Sequence, residues 1–532
     1  KSAPTADEAE QKRINRENHM MANAKRFGFD KLAMCVARGK HGLVFLALDV
    51  LTETVKWQHE VKNTAQYAHS EADSAAELPF LRLTQHTVGQ VTLVLSAQTA
   101  SGDYVSRIVD VHAETGVLQQ DRNVNKQQIL NMFALGSGQF FLLDNDGTRS
   151  VMPLLGDMHV PEEASSFFYH IDRTSGVMQT YRLSGARGGA MDLCASGSKN
   201  QQCEARYTLA VAPVATAIFP PDAETIVHIK APTASDTINL RTISLSDDSV
   251  LLKYLNRNTV LITTQTVGAD VKPNLYATLL DTASAKIVYR ALIEGGSAPV
   301  TATLVENNLS IFYWNVKAKR TEVSSVSLYD GMIDKMGLTP FASKQSAAVA
   351  AKHKEAKSFS SFTHVAPLAM QKTFVMPRDV TAVHHTTTAH GIANKNVIVG
   401  LESGQVYMLD SRQLSPRRPM ETPTQAEQMD GLQIYQPYIN LHPLQAITHN
   451  YAMGSGPKRI LSIPSRLESS TMVLTFGRPD VHFNRVLPSA DFDLLATDFN
   501  YPLLTLLLGL MGVLVWYLAR MSRRRTQKET WK

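Results

Sequence analysis

The chain has 532 residues, 44% hydrophobic and 19% charged, a globular composition that excludes intrinsic disorder. Its net charge is +5, and the stretch from Arg520 to Lys532, with six basic residues and one acidic, accounts for all of it. The remainder is electrically neutral, so nothing points to nucleic acid as a partner.

The length fits two to four domains or one large repeat array. Residues 1–26 are polar and are expected to form a helix or linker. The chain opens at Lys1 with no apolar segment nearby. That start is expected to follow a removed signal sequence or to lie inside a longer protein, and the second is favoured. From 27 to 488 short apolar runs alternate with Gly, Asp, Asn and Ser, an all-β rhythm. The clearest unit runs from Gly42 through Asp49 to Trp57: strand, Asp-led turn, strand. Similar units contain Asp110 with Gly116, Asp144 with Gly147, Asp172 with Gly176, Asp281 with Ser284 and Asp330 with Gly331; Asp410 comes last. In each, the Asp is expected to accept hydrogen bonds from turn amides. Recurrence at irregular intervals, or multiples, of about 30 to 60 residues predicts β-propeller blades of the quinoprotein or WD40-like kind. A β-sandwich array is the alternative, but it does not need the same turn unit each time.

Two stretches interrupt the pattern. The Ala/Ser/Lys-rich segment 342–361 is expected to be a helix or exposed insertion, and 413–436, with Pro416, Pro419 and Pro423, an extended crossing segment. Of the three cysteines, Cys35 sits in an apolar strand pattern and reads as a buried thiol. Cys194 and Cys203 flank a polar loop and either close it as a disulfide in an oxidising compartment or remain thiols. Asn308-Leu-Ser310 is a glycosylation sequon, usable only if exposed in a lumen.

Between 489 and 500, Phe492, Leu494, Leu495 and Phe499 alternate with aspartates, the pattern of a juxtamembrane amphipathic segment; a plain linker is the alternative. Tyr501 to Ala519 then runs 19 residues without a charge. As a helix it spans about 28 Å, close to the hydrocarbon thickness of a bilayer. Leu507 lies near its centre, Gly509 and Gly512 offer a small-residue face, and Trp516 and Tyr517 fall where an interfacial aromatic belt belongs. Asp491, Asp493 and Asp498 precede it; Arg520, Arg523, Arg524 and Arg525 follow it. Basic flanks stay cytosolic, which predicts a cytosolic tail at 520–532 and a luminal or extracellular bulk.

No catalytic constellation emerges: HExxH, GxSxG and P-loop signatures are missing from the sequence. His384, His385 and His390 are close in sequence but would need a further ligand to hold a metal. Neither cofactor nor metal is expected.

Within this order of elements, one set of residues is distinctive. Ser415-Pro-Arg-Arg-Pro419 follows the Gly400–Gly404 strand; then come Tyr435-Gln-Pro437, Leu441-His442, Ser465–Ser469, Met472–Phe476, Pro488-Ser489 and Asp498–Tyr501. Upstream lie Ser166–Tyr169, Tyr254–Asn256, Tyr313–Arg320 and Leu328–Asp330. In patches across residues 27–519 the chain resembles the C-terminal portion of subunit 1 of the endoplasmic reticulum membrane protein complex. The resemblance is specific at the Pro-Arg-Arg-Pro segment and beside the membrane helix, and weak elsewhere. It implies luminal propellers, one membrane helix and a non-enzymatic scaffold role in a complex that inserts tail-anchored and multipass proteins. The implied partners are other subunits, lipid and client membrane proteins. The end at Lys528-Glu-Thr-Trp531-Lys532 departs from the family's usual Asn-Arg-Ala-Trp-like ending, so no tail contact is carried over. Two other readings stand beside it: a cell-surface or cargo receptor with a propeller ectodomain, and a membrane-tethered quinoprotein-like dehydrogenase.

Overall fold

Apolar runs bounded by Gly and Asp fold, in the computed structural model, as antiparallel strands joined mostly by tight turns. The structure describes residues 23–38, 43–61, 80–87, 89–98, 104–125, 129–136, 139–144, 149–152, 167–194, 203–233, 236–268, 272–333, 360–362, 366–449, 451–454, 456–477, 480–490, 492–493 and 500–531. The chain divides into two units, Lys1–Pro488 and Ser489–Lys532.

In the first unit, β1 (Leu32–Arg38), β2 (Leu43–Asp49) and β3 (Thr54–Val61) form one meander, and β4 (Phe80–Thr87), β5 (Gln90–Gln98), β6 (Tyr104–His112) and β7 (Leu118–Asn125) the next. A six-stranded sheet follows: β8 (Ile129–Gly136), β9 (Gln139–Asp144) and β10 (Arg149–Met152) join β11 (Phe167–Asp172), β12 (Val177–Cys194) and β13 (Cys203–Ile218) through a β10–β13 pairing. The next sheet combines β14 (Glu224–Lys230) with strands beyond β15 (Thr242–Ser244) and β16 (Val250–Lys253), namely β17 (Thr259–Thr266), β18 (Asn274–Asp281) and β19 (Ile287–Glu294). Then β20 (Gly296–Val305), β21 (Asn308–Asn315) and β22 (Arg320–Ile333) take up β16, β15 and β23 (Leu368–Val375). The last two sheets are β24 (Val380–His385), β25 (Val397–Leu401) and β26 (Val406–Leu409), and β27 (Arg459–Pro464), β28 (Thr471–Phe476) and β29 (Val481–Val486).

The strands opening successive meanders stand side by side: β4 with β8, β8 with β11, β14 with β20, β20 with β24 and β24 with β27. Separate apolar cores lie between neighbouring sheets rather than in one centre. That is β-propeller packing, and it explains why β17 is buried on both faces from Thr259 to Thr264. The ring closes between the last sheet and the first, where the Arg466 amide donates to the Phe27 carbonyl at 2.9 Å. Nearby, the Arg485 guanidinium covers the Phe29 ring at 5.0 Å.

The expected Asp turn forms at four places. Asp49 accepts from the Leu51 amide (3.0 Å), Asp172 from Thr174 (2.9 Å), Asp281 from Ala283 (2.9 Å) and Asp410 from Arg412 (2.9 Å). After Asp172, Gly176 has φ +68°, and a Cβ there would sit 2.0 Å from the Phe219 carbonyl oxygen, so only glycine fits. Two expected turns are corrected. Asp110 lies within β6 and accepts from the Thr92 hydroxyl, while His112 Nδ1 takes the Thr115 turn amide at 3.3 Å. Asp330-Gly331 is no hairpin turn but lies at a β-bulge in β22, where its pairing with β16 shifts register.

The 413–436 stretch is not extended throughout. It turns repeatedly and contains α1 (Gln425–Met429), with Thr424 and Glu427 forming a capping box. In the second unit, α2 (Tyr501–Thr530) is one helix of 30 residues, continuing well past the apolar stretch. Leu494, Leu495, Phe499, residues 1–22 and nearly all of 342–361 lie outside the described residues.

Candidate functional site

Three features of the described residues stand out: a buried polar frame in the propeller, the locked Pro-Arg-Arg-Pro segment, and the exposed apolar helix α2.

The frame forms where the segment after β14 meets the end of β24. His385, fully buried, directs Nε2 at both oxygens of Asp236, at 2.8 and 2.9 Å. Its Nδ1 lies 3.2 Å from the Thr303 hydroxyl. His384 stacks on His385 with ring centroids 4.8 Å apart. Burial, with the neighbouring His385, pushes the His384 imidazole down to about 3. Lys395 Nζ donates to the Thr237 carbonyl at 2.6 Å and faces Glu306 at 3.4 Å; Glu306 also receives Lys253 at 2.6 Å. A second node is the Glu468 carboxylate. It accepts from the Thr388 hydroxyl (2.7 Å) and from the amides of His390 (2.8 Å), Ile392 (2.6 Å) and Ala393 (3.4 Å). Burial alone would raise this carboxyl, but those bonds hold it below its ordinary value. Partners 75 to 80 positions away leave no signal in the local sequence.

These groups are spent on one another. Although His384 and His385 stack, among the described residues no group of three His, Cys, Asp or Glu is placed to hold a metal. His384 Nδ1 already accepts the His385 amide at 2.8 Å, so it does not stand ready as a base for Ser462, 3.3 Å away.

Both arginines of the Pro-Arg-Arg-Pro segment are engaged. Arg418, buried, donates to the carbonyls of Gln413 (2.9 Å), Ile434 (2.6 Å) and Gln433 (3.4 Å) and lies over the Phe374 ring at 5.7 Å. Burial lowers its guanidinium from the ordinary value. Arg417 pairs with Asp430 at 2.9 Å, and Asp430 in turn accepts from the Ser246 amide (2.9 Å) and hydroxyl (2.7 Å). Burial would raise Asp430, but the Ser246 bonds and then Arg417 outweigh it and lower it. The 413–436 stretch is therefore held as a fixed surface ridge, with Pro416 and Arg418 buried inside it. Met420 and Met429 on it, and Tyr438 just beyond it, are each about two-thirds exposed. Beside β21, two open clefts of about 540 and 630 Å³ share Trp314, Thr321, Asp379 and Glu402.

Asn308 opens β21 just after the Glu306-Asn307 turn and is exposed, with its Oδ1 accepting from the Ser327 hydroxyl at 2.6 Å. Cys194 and Cys203 are direct Cα partners across the β12–β13 pairing. Cys35, half-buried in β1, is a free thiol that burial pushes up to about 11.

The helix α2 begins at Asn500, whose side chain accepts from the Leu503 amide at 3.1 Å, with Pro502 in the first turn. Thr505 donates its hydroxyl back to the Tyr501 and Pro502 carbonyls (3.1 and 2.9 Å), so it presents no unsatisfied donor to an apolar medium. Tyr501–Gln527 is long and apolar enough to cross a membrane, and none of its apolar window is buried. Leu507, Trp516 and Tyr517 are more than half exposed, and the space around Gly509 and Gly512 is open. Phe492, more than half exposed, is the one described residue of the four expected to form the amphipathic segment.

Residues 28–489 match the family described as "ER membrane protein complex subunit 1, second beta-propeller". The chain is 26% identical over 387 residues to the ER membrane protein complex subunit 1 of Gallus gallus, covering 72% of this chain and 34% of that protein. It is 27% identical over 369 residues to the subunit of the same name from Xenopus laevis (68% and 32%) and 28% over 274 residues to that of Schizosaccharomyces pombe (51% and 28%). It thus spans about a third of the length of the relatives it matches. Among solved structures, BamB from Moraxella catarrhalis is similar at 11% identity, covering 86% of this chain and 99% of that one, with a TM-score of 0.25. At that score the propeller assignment rests on the strand arrangement and the family match.

Proposed function

Because the chain belongs to the ER membrane protein complex subunit 1 family, we propose that it is a non-enzymatic scaffold subunit of that complex. In this role it supports insertion of tail-anchored and multipass clients at the endoplasmic reticulum membrane. The observation that carries this reading is the family match across nearly the whole propeller. The site chemistry supports it. In the buried frame His385 is bonded to Asp236, Lys395 and Lys253 to Glu306, and Glu468 to a hydroxyl and backbone amides, while the apolar helix is exposed.

The partners are the complex's other subunits, surrounding lipid and the client membrane proteins. The basic flank at Arg520, Arg523, Arg524 and Arg525 supports a cytosolic tail and a luminal propeller. In that orientation Asn308 is an N-glycan acceptor, read as a mobility shift on glycosidase treatment and lost in N308Q.

Affinity purification of the tagged protein tests the reading. It is expected to recover a stable set of membrane subunits, and its depletion to lower insertion of a tail-anchored reporter. Recovery of the protein alone, or unchanged reporter insertion, would sink the proposal.

A further inference from the structure

We propose that Arg520, Arg523, Arg524 and Arg525 form a collar that binds anionic phospholipid headgroups in the leaflet facing the tail. The inference rests on the reading of α2 as a membrane span. The helix does not stop where the apolar stretch ends: it runs unbroken to Thr530. The four arginines therefore rise within about 8 Å of the apolar boundary, which is headgroup depth. All four are exposed. Arg520 lies over the Trp516 ring at 5.4 Å, which fixes its guanidinium at the aromatic belt, where a lipid phosphate would sit.

The distribution around the helix selects lipid over a protein partner. At about 100° per residue the four side chains spread over roughly 200° of the helix circumference, whereas a helical partner covers a stripe of about 100°. Lipid surrounds a helix and meets every one of them. On the remaining face, which also carries Glu529, the hydroxyls of Thr526 and Thr530 donate to the Ser522 and Thr526 carbonyls at 3.0 and 2.7 Å. The guanidinium fork matches phosphate oxygens in pairs, and bound headgroups neutralise a charge cluster that Glu529 alone does not balance.

The test uses the full chain in nanodiscs of phosphatidylcholine with a minor share of phosphatidylinositol, with retained lipid counted by mass spectrometry after mild detergent release. The wild type is expected to retain phosphatidylinositol about tenfold above its bulk share at physiological salt and to lose most of that at about 1 M salt. The double variant R524Q/R525Q, which keeps Arg520 and Arg523 beside the membrane, should lose several-fold of the enrichment. Replacing all four arginines by lysine should retain most of it. No enrichment in the wild type, or full enrichment in R524Q/R525Q, overturns the collar while leaving the span intact. Failure of the wild type to enter the discs overturns both.

Discussion

The Glu468 carboxylate and the His390 amide are joined at 2.8 Å across 78 positions of sequence, tying the turn after β27 to the loop after β24. Three further donors converge on the same carboxylate. Glu468→Ala would strand these donors in a buried site and is expected to cost about 3 kcal/mol or more, with Glu468→Gln costing less. Chemical unfolding of the purified protein measures this, and an alanine variant as stable as wild type would show that the node is dispensable.

Acid should weaken the propeller. In the folded protein the His384 imidazole is held down to about 3, so the folded state keeps it neutral. The unfolded chain takes up a proton as pH falls below about 6.5, and folding stability then drops until the folded state itself titrates. The stabilisation is complete above about pH 6.5 and falls by about 1.4 kcal/mol per unit below it, giving about 2 kcal/mol at pH 5. His228, lowered to about 4 by burial, then Lys230 and Arg173, adds in the same direction. Melting temperature against pH should show this slope, and His384→Asn should flatten it; equal slopes would contradict the assignment.

Arg418→Lys should not rescue Arg418→Ala. A single ammonium cannot reach three carbonyls and cover the Phe374 ring at once. Both variants are expected to lose about 2 kcal/mol locally and to expose the 413–436 ridge. Limited trypsin digestion should then cut at Arg412 or Arg417 about ten times faster than in wild type. An unchanged digestion pattern in the lysine variant would mean that charge alone locks the ridge.

The cross-strand register of Cys194 and Cys203 is compatible with disulfide spacing. Peptide mapping of protein from an oxidising compartment, without reduction, is expected to find the two residues linked. Recovery of both as alkylatable thiols would remove this bond and weaken the luminal placement with it.

Leu507→Arg places a charge near the centre of the apolar stretch and should raise the insertion cost by about 2.5 to 3.5 kcal/mol. The expected outcome is loss of co-purifying membrane subunits. Normal recovery of those subunits would show that the propeller alone carries assembly.

What could be read from sequence was local. The turns at Asp49, Asp172, Asp281 and Asp410 are visible because the acceptor and its amide lie two residues apart. Asp110 and Asp330 have the same local pattern, but strand register decides their role, and the partners that set it lie elsewhere in the chain. The link between Asp236 and His385 spans 149 positions and has no local mark. Arg417 and Arg418 are conspicuous as a motif, yet their partners Asp430 and Ile434 become visible only once the segment has turned back on itself. The apolar stretch of α2 is plain from its missing charges. Its continuation to Thr530 is not, because the first arginine marks where apolar sequence ends and not where the helix does.

That continuation gives α2 a lever arm. Past Gly512 the sequence has neither glycine nor proline to hinge it, so the apolar part and the part beyond it turn together. About 16 Å of helix projects past the apolar stretch, and a tilt of about 20° swings its tip sideways by about 5 to 6 Å. In a bilayer, a change of tilt would therefore appear at Trp531 as a lateral displacement of that size.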